Sequence, residues 1–388
     1  MRLTVDPSTD LASSLSRPLQ LLIAAARSAA CSIEQVEMTR SDWDDLAGAA
    51  ERQGLGGLLH TAVTHSTAPA AVRQQAAIVA HESATAGLRG IAEAIDITRV
   101  LRTAGFRSVC LKGPTLARWL YGAVGFRRFA DLDIMVAPRD VTAVYQALAQ
   151  HGYALPDRMT VGTARAVYRR LGAWPLTHTD RYPVDLHFRL CHQSFGSPLN
   201  PESVIAESRE LDGVPDVHVP SATHAALMLL VHASKHLWCT LEMLLAIGRV
   251  MERRDVDWAR VQMLAHESGT WNGCAAGLGL SSELFGVKIP DAIGRHGTLH
   301  ARDDLRRAAH AALTKPAGVF ADRWEERRSH RAALDGWRSR MRYDVWRLVS
   351  PTPLERAWYE LPEPLASLYV PLRLMRLTVS AARGALRR

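Results

Sequence analysis

Two aspartates one residue apart, Asp131 and Asp133, stand in the apolar run Asp131-Leu132-Asp133-Ile134-Met135-Val136. Residues i and i+2 of a β-strand point to the same face, so the two carboxylates would project together while Leu132 and Ile134 pack behind them. Paired carboxylates make a hard oxygen site that suits Mg²⁺, which takes one or two acids, keeps several waters and completes its shell with phosphate oxygens. A third acid would admit a second ion roughly 3.5–4 Å from the first, an arrangement that activates an attacking oxygen and steadies a leaving pyrophosphate. Asp185, in Tyr182-Pro183-Val184-Asp185-Leu186-His187-Phe188, is placed to be that acid. Its short apolar and aromatic surroundings predict a second strand beside the first. A lone D-x-D also marks the solvated face of many edge strands, so the reading depends on the company the acids keep.

That company begins upstream with Leu111-Lys112-Gly113-Pro114-Thr115. Val109-Cys110-Leu111 predicts a buried strand, Gly113 a close turn, and Pro114 the first residue of a helix running to Tyr121. The free amides of a helix start favour phosphate. Lys112 is one of four lysines, with Lys235, Lys288 and Lys315, in a chain that otherwise meets its basic needs with arginine. It either reaches phosphate or snorkels at a strand end. Arg127 either neutralises phosphate through its planar fork or pairs with Asp131 or Asp133. His232, Lys235 and His236 fall at i, i+3 and i+4 on one helical face. They either line a cleft with the acids or serve packing and capping. His187 shares a strand face with Asp185 and is expected to be a core or supporting histidine rather than a base.

In this order the residues resemble the polymerase-beta-like nucleotidyltransferases, in which a strand and a glycine turn precede a D-x-D strand and a third acid follows on another strand. Within that superfamily the likeness is to the bacterial uncharacterised nucleotidyltransferases marked by L-K-G, then Y…R…D-x-D-x-x-V, then [DE]-x-H. Here these read Leu111-Lys112-Gly113, Tyr121, Arg127, Asp131 to Val136, and Asp185-Leu186-His187. Gly152-Tyr153 and His232-Ala233-Ser234-Lys235-His236-Leu237-Trp238 extend the likeness, which covers residues 41–290.

The resemblance implies an α+β fold: a polymerase-beta-like nucleotidyltransferase core, a small mixed sheet with helices, flanked by N- and C-terminal helical regions. It implies Mg²⁺-dependent transfer of a nucleoside monophosphate from an NTP, ATP foremost, to an unidentified small-molecule, peptide, protein or RNA acceptor, with release of pyrophosphate. Asp131 and Asp133 would hold two metal ions and Asp185 would complete the one that activates the acceptor. Lys112, Gly113, Thr115, Arg127 and Lys235 would bind the nucleotide. Two departures stand out. Pro114 follows the turn glycine where relatives often carry a small residue or serine, which leaves Thr115 as the hydroxyl for phosphate. Relatives also tend to show an acid in an apolar run after the histidine-rich helix, and the matching stretch here, Leu244-Leu245-Ala246-Ile247, has none.

Length and composition frame these residues. A chain of 388 residues with 47% hydrophobic content can hold two or three cores. The patterning predicts a helical region over 1–95, including an alanine-rich run from Ala70 to Ala94, and the nucleotidyltransferase core over 96–218, with weak strands around Asp216–Val219. A helical domain over 219–295 would follow, N-capped by Ser221, and then an Arg-rich helical region and tail over 296–388. The net charge of +8 admits a nucleic-acid partner, but the excess is spread over Arg306-Arg307, Arg323–Arg331 and the C-terminus rather than drawn into one stripe. The five cysteines, Cys31, Cys110, Cys191, Cys239 and Cys274, form no C-x-x-C pair, which points away from zinc or a disulfide framework and towards the cytoplasm. No transmembrane run is present. Leu19–Cys31 does not read as a signal peptide, because Asp6 and Asp10 precede it and Arg27 interrupts it. Leu368–Arg388 predicts a helix lying on the protein or a partner in preference to a membrane surface. There is no G-x-S-x-G, H-E-x-x-H or G-x-x-x-x-G-K-[ST]. A catalytically silent relative that senses nucleotides or binds partners, and a nucleic-acid-binding module, are the alternatives.

Overall fold

The computed structural model describes residues 11–27, 38–64, 66–169, 171–190, 195–196, 199–294, 302–314, 323–352, 354–355, 361 and 363–385. Cys31, Cys191, Lys315, Arg387 and Arg388 lie outside these residues. The fold is α+β, as expected, with helices packed around a small mixed sheet. Its four strands, β1 (Val109–Cys110), β2 (Leu132–Met135), β3 (Ala173–Leu176) and β4 (Val184–His187), lie in the order β1-β2-β4-β3. The central pair, β2 and β4, is parallel, and β1 and β3 flank it antiparallel. A parallel pair needs a long crossover. Here α6 (Val141–Ala149), α7 (Val161–Tyr168) and β3 supply it. Pro175 is tolerated in β3 because that strand is an edge.

Strand alternation sorts the two faces. Leu132, Ile134, Val184 and Leu186 turn to one side, where they share a core with Ala94, Ile97 and Leu101. Asp133 and Met135 on β2, opposite Asp185 and His187 on β4, occupy the other. Met135 packs there into a second core, built mainly from helices. The acids therefore lie between the sheet and a helical layer.

That layer contains α1 (Arg17–Arg27), α2 (Arg40–Arg52), α3 (Gly56–Thr64), α9 (Ala222–Lys235), α10 (Leu241–Met251), α11 (Trp258–Ser268) and α12 (Trp271–Phe285). Leu19, Leu22, Ile23 and Ala26 recur at helical spacing on α1 and are all buried, so this segment is part of the folded core. Thr39 and Asp42 close a capping box at the start of α2. Ser221 caps α9 by accepting from the His224 N–H (3.4 Å), as its sequence position predicts.

Helix α4 (Ala70–Thr103) joins the two cores. Its 34 residues cross the boundary expected at residue 95. Val72 and Ala76 belong to the helical core, whereas Ala94, Ile97 and Leu101 lie under the sheet. A Cβ at Gly87 would come within 2.6 Å of the Val124 carbonyl oxygen. Without one, the loop leading to β2 can rest directly on the helix.

Helix α5 (Pro114–Tyr121) follows β1 in the chain, and α8 (Pro201–Ala206) with a ribbon of β5 (Arg209–Leu211) and β6 (Val214–Val219) leads from β4 to α9, β6 matching the strand expected near Asp216. The C-terminal part holds α13 (Asp291–Gly294), α14 (Asp303–Thr314), α15 (Arg323–Ala332), α16 (Gly336–Val349) and α17 (Tyr369–Ala385). Helix α17 packs on α16. Tyr369 is fully buried, and Arg373 and Arg376 both reach the buried Glu355 (3.2 and 2.6 Å). No described helix is long and apolar enough to cross a membrane.

Candidate active site

The site starts at the end of β1. The Leu111 N–H donates to the Asp133 carbonyl (2.9 Å), which holds this end of β1 against β2. Gly113 then takes φ +69° and ψ −140°, a backbone shape that glycine adopts without steric cost. A Cβ there would sit 3.5 Å from the Asp131 carbonyl oxygen, so the turn abuts the D-x-D segment directly. Pro114 opens α5 as expected. The turn delivers Lys112 beside the acids, with Nζ 2.8 Å from Asp133 Oδ1.

Asp133 and Asp185 are register partners on the parallel strands β2 and β4. Two residues beyond Asp185, His187 points its Nε2 at Asp133 Oδ1 (2.8 Å), and its Nδ1 faces the Arg189 carbonyl (3.1 Å). One ligand atom from each of Asp133, Asp185 and His187 falls in a group no more than 4.8 Å across. Two carboxylates and an imidazole make a sound donor set for a divalent ion. A ring held by Nδ1–H to a carbonyl is the usual posture of a metal-bound histidine, with Nε2 left towards the ion. The residues present therefore fit a metal.

The expected D-x-D pair is looser than its spacing implied. Strand β2 begins at Leu132, so Asp131 stands just before it, and among the described residues the compact group unites Asp133 with Asp185 and His187. Asp131 is close enough to feel both acids. Burial pushes its carboxyl above the usual range, and the charges of Asp133 and Asp185 push it further. Asp133 behaves oppositely: burial would raise its carboxyl, but the Lys112 ammonium and the His187 contact outweigh that and hold it well below the ordinary value. One acid is neutralised by a lysine while its neighbours crowd it.

Helix α9 roofs this face, and the three-residue face predicted from spacing does come to the site. The rings of His232 and His236 lie 4.6 Å apart. Burial, followed by the nearby Lys112 charge, holds His232 well below the histidine range. Burial and Lys235 lower His236 to about 4. Lys235 and His236 share the wall of a cavity of about 930 Å³ with Asp185 and His187.

Two expected phosphate ligands sit elsewhere. Thr115 is buried, and its hydroxyl donates to the Lys112 carbonyl (2.9 Å), where it braces the turn. It borders a small crevice with Trp119, Val219 and Ala225. Arg127 meets neither Asp131 nor Asp133. Its Nε lies 3.2 Å from Glu242 Oε1 on α10, without the alignment of a hydrogen bond, and Nε and Nη1 donate to nothing in the protein. Tyr121 donates its hydroxyl to the same Glu242 oxygen (3.4 Å) and stacks on Phe126 with ring centroids 4.1 Å apart. Glu242 is the residue that sequence reasoning missed. It stands in the first turn of α10, where a carboxylate reads as an ordinary favourable end charge.

A family model described as an uncharacterised nucleotidyltransferase matches residues 39–286, well over half of the chain. No curated protein matches it.

Proposed function

The chain belongs to the uncharacterised nucleotidyltransferase family, and from that premise we propose that it is a Mg²⁺-dependent enzyme moving a nucleoside monophosphate from an NTP, ATP foremost, to an acceptor hydroxyl. The observation that carries the reading is the register pairing of Asp133 with Asp185 one strand from the Gly113 turn. Asp131, Asp133, Asp185 and His187 are the residues that would hold the metal. When bound, Mg²⁺ would supply positive charge against the phosphates and the attacking oxygen.

The protein's own part is positioning and charge. The Gly113 turn and the start of α5 offer backbone amides to the triphosphate. Lys112, now on Asp133, would turn to the phosphates as the acids take up the cation. Lys235 approaches from α9, and Arg127 holds the loop before β2 against α10 through Glu242. The acceptor hydroxyl gives up its proton to solvent as its oxygen attacks the α-phosphorus, the bond to the bridging oxygen breaks, and pyrophosphate leaves. A cytoplasmic setting is part of this reading.

One observation favours a second reading. Asp133 is already satisfied by Lys112 and His187, the state expected of a silent relative whose acids no longer take metal. Incubation of the protein with each α-labelled NTP, Mg²⁺ and a metabolite pool separates the two. Label transfer with pyrophosphate release is expected; Mg²⁺-independent nucleotide binding without turnover in any pool would favour the silent relative.

A further inference from the structure

We propose that the cavity beside Asp185 is the acceptor site, and that it takes a molecule with an apolar or aromatic body and an anionic group, phosphate or carboxylate, chosen by the C-terminal helices. The inference rests on the nucleotidyltransferase reading and names the substrate class of that site.

The argument starts from which residues the cavity includes. Its volume of about 930 Å³ is that of a pocket for a sizeable small molecule. Asp185, His187 and Lys235, which would meet the nucleotide where the two sites join, form part of its wall, whereas Asp131, Asp133, Lys112, Gly113 and Arg127 do not. The cavity thus reaches the acid group at Asp185 and His187, and the Gly113 turn lies outside its wall. An oxygen entering through the cavity meets Asp185 first, and the nucleotide phosphates reach the acids from the Gly113 turn.

The opposite wall comes from α15, α16 and α17, all beyond residue 286 where the family match ends. Its charge is lopsided. Arg373 and Arg376 share the single carboxylate of Glu355. Asp344 is held by Arg327 and Arg331. Arg347 has no carboxylate partner among the described residues; its Nη1 donates to the Tyr343 hydroxyl (3.3 Å), and its guanidinium lies 5.9 Å from that ring. The remaining acid of this wall is Glu326. A guanidinium that lines a cavity with no carboxylate paired to it is a fork for a planar or tetrahedral anion. Tyr168, Phe195, Leu190 and Leu348 provide the apolar lining around it.

Phenyl phosphate, which pairs an aromatic body with an anion, is the probe, with benzyl alcohol as its neutral counterpart. Calorimetry on the full chain with Mg²⁺ is expected to show phenyl phosphate binding and benzyl alcohol not. Arg347→Gln should weaken phenyl phosphate about tenfold or more, as loss of one charge-assisted contact does, and leave MgATP affinity within about twofold. Lys112→Ala should do the reverse. Arg347→Lys, which keeps the charge but not the fork, should fall between the wild type and Arg347→Gln, and unliganded melting curves of both Arg347 variants guard against misfolding. Phenyl phosphate binding that ignores Arg347 in folded variants, or no binding to the wild type, overturns the acceptor site while the nucleotidyltransferase reading stands. A fall in MgATP affinity on Arg347→Gln hands the cavity to the nucleotide and overturns it too. If MgATP binds no variant and not the wild type, the nucleotidyltransferase reading fails first and takes the acceptor assignment with it.

Discussion

Two buried ion pairs lie at the two ends of the segment joining the glycine turn to β2, and they differ in balance. Lys112–Asp133 (2.8 Å) brings one lysine to a place where Asp131 and Asp185 also gather. Neither of those two acids forms an ion pair among the described residues. Arg127–Glu242 (3.2 Å) matches one charge with one, backed by the Tyr121 hydroxyl on the same carboxylate. Both pairs are shielded from water, so burial does not tell a reactive site from a structural clamp. Surplus does. Like charges held together at a cost, beside a cavity, are poised for a cation and its phosphates, whereas a pair balanced in charge has none to spare.

The largest effect should come from removing the surplus. Asp131→Asn with Asp133→Asn keeps shape and takes two charges from the metal group. Mg²⁺-dependent pyrophosphate release should fall by at least about a thousandfold, since charge stabilisation by the ion is worth several kcal/mol and each 1.36 kcal/mol is tenfold in rate. Circular dichroism should show a folded protein. Turnover that survives in the double variant would break the comparison at its root.

The clamp should respond in stability. Arg127→Ala strands a 7%-exposed Glu242 side chain without its countercharge, a change that typically costs about 3–5 kcal/mol. Urea denaturation should register the loss even without nucleotide. Arg127→Met with Glu242→Leu removes both charges and should recover most of it. If Arg127→Ala instead weakens MgATP binding with little change in the urea midpoint, Arg127 belongs with the phosphates, and the contrast between the pairs disappears.

Much of the site was legible because its cues are local. Gly113-Pro114, the alternation from Asp131 to Val136 and the Ser221 cap each declare a conformation within a few residues. Asp185 could be placed on the acid face because strand periodicity is strict. What escaped was pairing at a distance. Nothing near Glu242 announces an arginine from the loop before β2, and its place in a helix's first turn supplies a sufficient local reason for an acid. His187 was correctly put on Asp185's face, yet its partner Asp133 sits across the strand pair. Helix α4 also runs across the boundary expected at residue 95. A continuous helical pattern carries no mark of the point where its neighbours change from helices to sheet. The arginines around the cavity, Arg327, Arg347, Arg373 and Arg376, are far apart in sequence, and the packing of α15–α17 gathers them.

A pH titration sharpens the contrast on the α9 side of the site. Folding lowers His236 from the usual 6.5 to about 4, through burial first and Lys235 second. Between those values the unfolded chain holds a proton that the native state refuses, so stability should fall as pH drops from 6.5 towards 4. The loss attributable to this residue should be on the order of 1–3 kcal/mol. His236→Gln should flatten that part of the profile. An unchanged slope in the variant would mean that His236 is as solvated when folded as when unfolded.

The smallest expected effect tests surplus charge most directly. Asp131 is raised by burial and by Asp133 and Asp185, so its native carboxyl binds protons more readily than the unfolded one. Its ionisation therefore weakens the metal-free fold above the unfolded value, and the penalty fades as pH falls through that value. Asp131→Asn removes the repulsion at neutral pH and should stabilise the metal-free protein by a few tenths to about 1 kcal/mol, solvent at this half-buried group screening the rest. Added Mg²⁺ should then stabilise the wild type more than the variant, because only the wild type gains by neutralising the crowded charge. Melting temperatures of both proteins with and without Mg²⁺ provide the check. If Asp131→Asn destabilises the metal-free protein, Asp131 makes a favourable contact that outweighs the repulsion, and the acid group is balanced after all, like Arg127 and Glu242.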